Sequence, residues 1–184
     1  MNLRYNFLIF LILFLIPKAK GAENLFLYKG TFSRTIKIEE LYQFQITKKP
    51  SNKLKNLMKI TNQKEKDLHK ILSLKIEVPL KTSSKLMNSK IGEVFLNRLS
   101  KIIYTNKILN KELNTKAIRS GILLSSFNNN QKINLIDFFK AYPNKNIAID
   151  LNSLSKTLKK VESLKELIEF YSDSPFKKLK DGRS

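Results

Sequence analysis

The 184-residue chain carries 35 Lys and Arg against 15 Asp and Glu, a formal charge of +20, with no Cys, no Trp, one His and five Gly. These counts exclude disulfides, thiolate metal sites and a Cys nucleophile, and the scattered glycines exclude a Gly-rich phosphate loop. The length suits one modest domain.

The chain starts with a short polar stretch containing Arg4. An unbroken apolar run from Phe7 to Ile16 follows, then Pro17 and Ala19-Lys20-Gly21. A positive start, a short apolar segment and a small-x-small exit predict a secretory signal peptide over residues 1–21. A spanning anchor needs about 20 apolar residues, more than this run supplies. Cleavage is expected after Gly21, with Ala22 the nearest alternative. No Cys follows the apolar run, so a lipid-modified N-terminus is excluded. The expected location is the periplasm or another extracytoplasmic compartment. Residues 22–172 are read as a single mainly helical domain and residues 173–184 as a basic flexible tail.

Asn24–Tyr28 and Arg34–Ile38 are rich in β-branched and aromatic residues, and Gly30 lies between them. They predict a β-hairpin with its turn over residues 29–33. Helices then dominate. Glu39–Ile46 opens with two acidic residues, which the helix dipole favours at that end. Leu54, Leu57 and Met58 form a stripe after Pro50-Ser51, and Asn62 is expected to cap a helix through about Leu74. Thr82–Met87 reads as a further helical turn. Lys90–Thr105 has the clearest 3.6-residue period, with Ile91, Val94, Phe95, Leu99, Ile102 and Ile103 on one face. Thr115–Ser126 ends at Asn128-Asn129-Asn130. Asn134 caps a helix through Tyr142, with Asp137 at its third position and Ile133 before the cap placed to pack on Phe138 as a hydrophobic staple. Ile147, Ile149 and Leu151 alternate as a third strand. Asn152 is expected to cap a C-terminal helix whose inner stripe is Leu154, Leu158, Val161, Leu164, Ile168 and Tyr171. The expected fold is therefore mainly α with a small antiparallel β-sheet (α+β): hairpin, helical bundle, third strand and C-terminal helix.

Several segments resemble one family when taken in order. They are residues 28–41 (YKGTFSRTIKIEEL), 89–99 (SKIGEVFLNRL), 117–123 (AIRSGIL), 138–143 (FFKAYP) and 146–151 (NIAIDL). Together they resemble the uncharacterised domain of cyanobacterial exported proteins that follows a signal peptide and often precedes an α/β-hydrolase domain. The likeness spans about residues 23–171. No hydrolase segment follows it before Ser184. The resemblance therefore implies an exported accessory domain without catalytic apparatus, and it brings no functional residues with it. Arg34, Arg98 and Arg119 are the arginines inside these segments, in a chain whose cations are mostly Lys. Guanidinium makes planar bidentate pairs that ammonium does not. Two readings stand side by side: structural ion pairs or a polar contact surface, and chance retention on solvated faces.

Catalytic patterns are missing. No two glycines are four apart, which rules out the G-x-S-x-G elbow. The one His, His69, sits between Leu68 and Lys70 in a helical segment, where an ordinary partly exposed residue is expected. Zinc spacings are absent, and no cofactor is expected. Ser153–Lys156 and Ser174–Lys177 match S-x-x-K at the level chance supplies in so Lys-rich a chain, and the companion motifs are missing. Glu162, Glu166 and Glu169 interleave with Lys159, Lys160 and Lys165, the pattern of an ion-paired solvated face.

The charge invites nucleic acid. An export signal, scarce Arg and the absence of an aromatic RNA-binding motif argue against it. The expected function is that of an exported, non-catalytic protein-interaction module, serving a protein partner such as a separately encoded α/β-hydrolase. The alternative is a basic envelope protein that binds anionic membrane surface or polyanions through salt-sensitive contacts.

Overall fold

The computed structural model describes residues 21–105 and 110–159. The expected leader as far as residue 20, the stripe from Val161 to Tyr171, the Glu162/Glu166/Glu169 cluster, Ser174–Lys177 and the basic tail lie outside the described residues.

Strands β1 (Asn24–Lys29) and β2 (Phe32–Lys37) form the hairpin. Its turn is only Gly30-Thr31, tighter than the sequence suggests, because Gly30 adopts φ +61° without steric cost. Helix α1 (Ile38–Thr47) follows directly. Glu40 Oε1 accepts from the Lys37 backbone N–H at 3.4 Å at its start. Ser51 caps α2 (Asn52–Thr61), accepting from Leu54 N–H at 3.1 Å. Asn62 ends α2 in a left-handed conformation, φ 52°, instead of starting the next helix. Asn tolerates that region better than most residues. Helix α3 (Glu65–Ser73) begins three residues later.

Next come β3 (Ile76–Glu77), α4 (Leu80–Met87), α5 (Lys90–Leu99), β4 (Ile103–Thr105) and α6 (Lys111–Asn128). The segment expected as a single helix from Lys90 to Thr105 is therefore a helix and then a strand. Helix α5 ends at Leu99, and Ile103–Thr105 pairs antiparallel with a later strand. A tertiary ladder outweighs local helical periodicity there. The chain finishes with β5 (Lys132–Ile133), α7 (Leu135–Ala141), β6 (Asn146–Asp150) and α8 (Leu151–Lys159).

Asn134 caps α7 as expected, and Asp137 completes a capping box. Asn134 Oδ1 accepts from Asp137 N–H at 2.9 Å, and Asp137 Oδ2 accepts from Asn134 N–H at 3.0 Å. Asn134→Ala is expected to cost about 1 kcal/mol. A fall in Tm of roughly 2–4 °C would report that loss in a chain of this size. At α8 the cap is Asp150, whose Oδ1 accepts from Ser153 N–H at 2.8 Å, and not Asn152.

The main sheet runs in the order β2-β1-β6-β4, and β3 pairs with β5 in a separate two-stranded sheet. The hairpin is indeed the partner of the third strand, but β6 lies parallel to β1, so the sheet is mixed and not wholly antiparallel. A parallel pair needs a long crossover. Here nearly the whole helical part of the chain forms it. Ile36, Leu25, Ile147 and Thr105 make one cross-strand row facing the helices. Thr35, Phe26, Ala148 and Tyr104 make the neighbouring row on the opposite face. β6 is central, and Ile147, Ala148 and Ile149 are all buried.

The core lies between the sheet and helices α1 to α7, with Leu72 of α3 and Met87 of α4 fully buried in it. Phe44, Leu54, Leu96, Ile118, Phe139 and Tyr142 are also among its fully buried side chains. The face of α5 differs from the expected one. Gly92 and Leu96 point inward, with Phe95 and Leu99 packed at the core margin, whereas Ile91 and Val94 are exposed. Gly92 decides this, because α5 passes the last turn of α4 at a distance only a hydrogen side chain permits. A Cβ on Gly92 would sit 2.0 Å from Leu86 O.

Candidate interaction surface

His69 and two buried serines make structural contacts. His69 projects from α3 towards α1. Its ring meets Phe44 edge-on, with centroids 5.9 Å apart, and Nε2 lies 2.9 Å from the Gln45 carbonyl oxygen. A carbonyl only accepts, so Nε2 carries the proton. Ser73 Oγ is 3.5 Å from the same nitrogen. In that tautomer Nε2 has no lone pair with which to take the hydroxyl proton. Ser125 and Ser126 are fully buried and donate to the carbonyls of Ile122 and Val78. No group of three or more His, Cys, Asp or Glu is placed to hold a metal ion among the described residues.

The tyrosines show what burial does here. Burial raises the Tyr142 pKa, and a hydrogen bond with Thr105 partly opposes the rise. Burial also raises the Tyr104 pKa, aided by the negative charge of Asp150 and by Tyr28. Both shifts favour the neutral phenol.

The three arginines occupy different settings. Arg34, near the hairpin turn, is exposed. Its guanidinium lies 4.0 Å from the Phe32 ring centroid and donates to Ser33 O at 3.0 Å. Arg98 is exposed on α5. Arg119 is half-buried on α6, with its Nε enclosed and unpaired. Among the described residues the ion pairs are Lys53–Glu40, Lys116–Glu112 and Lys145–Glu23, and none involves these arginines.

What distinguishes the surface is apolar. Eight large hydrophobic side chains are exposed among the described residues, and five of them lie on α5 and α6: Ile91, Val94, Leu113, Leu124 and Phe127. These two helices pack against each other. Ile91, Val94 and Arg98 recur at i, i+3 and i+7, so one side of α5 presents two aliphatic groups and a guanidinium. Leu113 and Leu124 are eleven residues apart, three helical turns, which places them at nearly the same azimuth on α6. Phe127 extends that stripe and is 69% exposed. The buried residues Ile118, Gly121 and Ser125 form the adjoining, core-facing side of α6. Periodicity points to the α5 residues but assigns them to the core. Only the close packing at Gly92 turns them outward.

The family described as alpha/beta hydrolase of unknown function (DUF1400) matches residues 21–150. The chain belongs to this family. The match runs from the residue before the buried Ala22 to the end of β6, so it takes in the whole sheet and the helical crossover. The family's description names a hydrolase class and leaves the function open. No curated protein and no solved structure matches the chain.

Proposed function

We propose that this DUF1400 member is an exported, non-catalytic module that binds a partner protein through the outer faces of α5 and α6. The partner chemistry that fits is an apolar surface carrying acidic groups, as on a separately encoded α/β-hydrolase. The observation that carries the reading is the concentration of exposed apolar side chains on two neighbouring helices of an otherwise strongly basic chain. Apolar patches rimmed by charge mark protein contacts, and Arg beside aliphatic anchors is typical of interface centres. His69 supports the non-catalytic part, since its Nε2 proton is committed to a backbone carbonyl. The leader-like residues 1–21 support export.

The test uses the exported full chain and the variant Ile91→Ser/Val94→Ser/Phe127→Ser. These side chains are exposed, so the variant is expected to melt within about 0.5 kcal/mol per site of the parent. Binding to purified exported hydrolases of the same cell is measured at low and high salt. Salt-resistant binding by the parent, weakened at least about tenfold in the variant, supports the reading. Equal binding by both proteins, or none by either, refutes it. Binding only to anionic vesicles, abolished by salt, would instead favour a basic surface protein.

A further inference from the structure

The first described residues are held more tightly than a free chain end requires. Ala22 is buried, and its N–H donates to Phe139 O at 3.3 Å, in the last turn of α7. The N–H groups of Glu23 and Asn24 both reach Lys145 O, at 2.9 and 3.1 Å, and Glu23 O accepts from Ile38 N–H at 2.9 Å. Gly21 lies directly on α7, where a Cβ would fall 1.6 Å from Lys140 O. A cavity of about 270 Å³ opens beside Ala22, with Glu23, Glu39, Lys37 and Lys140 on its wall. These residues meet the expected cleavage point, Ala19-Lys20-Gly21, at a single peptide bond.

We propose that processing between Gly21 and Ala22 creates a structural group: the new α-ammonium of Ala22 docks on the C-terminal carbonyls of α7. The inference rests on the export reading above. A signal peptidase of the exporting cell hydrolyses the bond. The hydroxyl of water goes to the Gly21 carbonyl carbon, and Ala22 nitrogen gains protons to become an ammonium. Phe139 O already accepts the Tyr142 N–H at 3.2 Å, and as one of the last carbonyls of α7 it lies at the negative end of the helix dipole. A cation there is stabilised more than the neutral amide it replaces. The cavity leaves room for the additional N–H groups, and its wall carries the carboxylates of Glu23 and Glu39 beside the ammonium groups of Lys37 and Lys140. The scissile bond is packed against α7 in the fold, so the cut precedes closure of this corner.

The fit of Gly21 supplies a decisive variant. Alanine suits the residue before a signal-peptidase cut but clashes with Lys140 O if it stays in the folded protein. The full chain and its Gly21→Ala variant are exported from a bacterial host, and their intact masses and Tm are measured. Both are expected to begin at Ala22, with equal mass and equal Tm. A Gly21→Ala protein that keeps residue 21, or melts lower, overturns processing at this bond. So does an uncut chain or a cut elsewhere, and an uncut chain also counts against export. The α-amine of the mature protein is then converted to a ketone by a pyridoxal reagent, a reaction lysine side chains do not undergo. Conversion is expected to be at least about tenfold slower in the native protein than in urea, and the product to melt lower by about 3 °C or more. Equal rates with an unchanged Tm overturn the docking while leaving the processing intact.

Discussion

Gly92→Ala is expected to destabilise the protein by about 2–4 kcal/mol, although alanine is the better helix former. In an open helix the exchange would gain roughly 1 kcal/mol. Here the added Cβ meets Leu86 O at 2.0 Å and Met87 Cα at 2.8 Å, both backbone atoms of the preceding helix. Leu86 O has little freedom to retreat. It accepts the Ser89 N–H at 2.9 Å and the Ser89 hydroxyl at 2.6 Å, and Ser89 Oγ in turn accepts from Gly92 N–H at 3.2 Å to cap α5. Separating α4 from α5 therefore breaks the cap as well as the packing, and overpacking alone costs about 1–3 kcal/mol. Gly121→Ala is the control. Its Cβ would meet the Phe138 ring at 2.9 Å, a side chain that can tilt. The helix-propensity gain offsets that contact, and a change within about 1 kcal/mol is expected. Denaturant midpoints for the two variants check the pair. A Gly92→Ala protein as stable as the parent would mean that α5 does not pass the last turn of α4 as described.

Tyr142→Ala is expected to have the larger effect, about 3–5 kcal/mol. Tyr142 is fully buried at the end of α7, and its ring packs edge-on against Phe138 with centroids 5.8 Å apart. Its hydroxyl pairs with Thr105 Oγ1 at 3.3 Å, joining α7 to β4, while Asn114 Oδ1 on α6 accepts from Thr105 N–H at 2.9 Å. Alanine there leaves a ring-sized cavity between sheet and helices. Tyr142→Phe keeps the ring and loses one neutral hydrogen bond, so about 1 kcal/mol is expected. The two variants also separate at high pH. Burial raises the Tyr142 pKa in the fold, so the folded state holds this proton more tightly than the unfolded chain. Its contribution is complete below the unfolded phenol pKa near 10 and falls as pH rises above that value. Tyr142→Phe is therefore expected to lose less stability than the parent between neutral pH and about pH 11, measured by urea unfolding. Equal losses would show that Tyr142 ionises in the fold as it does in the unfolded chain.

The sequence by itself determined what short-range chemistry controls. Two runs rich in β-branched and aromatic residues around Gly30 specify a hairpin, and Asn134 with Asp137 specifies the start of α7. Each signal lies within a few residues of the group it satisfies. Composition likewise removed thiol and phosphate-loop chemistry, and the spacing of the glycines removed the nucleophile elbow. Tertiary structure decided what depends on residues far apart in the chain. The parallel pairing of β1 with β6 links residues more than a hundred positions apart, and alternation along a strand is the same for either direction. Ile103–Thr105 continued a helical period, and only the ladder to β6 made it a strand. Helix α5 is apolar on more than one side, so periodicity left its rotation open. The contact of Gly92 with the last turn of α4 fixed that rotation and exposed Ile91 and Val94. The arginines were legible as unusual residues in a Lys-rich chain, but their environments were not, because burial and ring contacts arise only when distant segments pack.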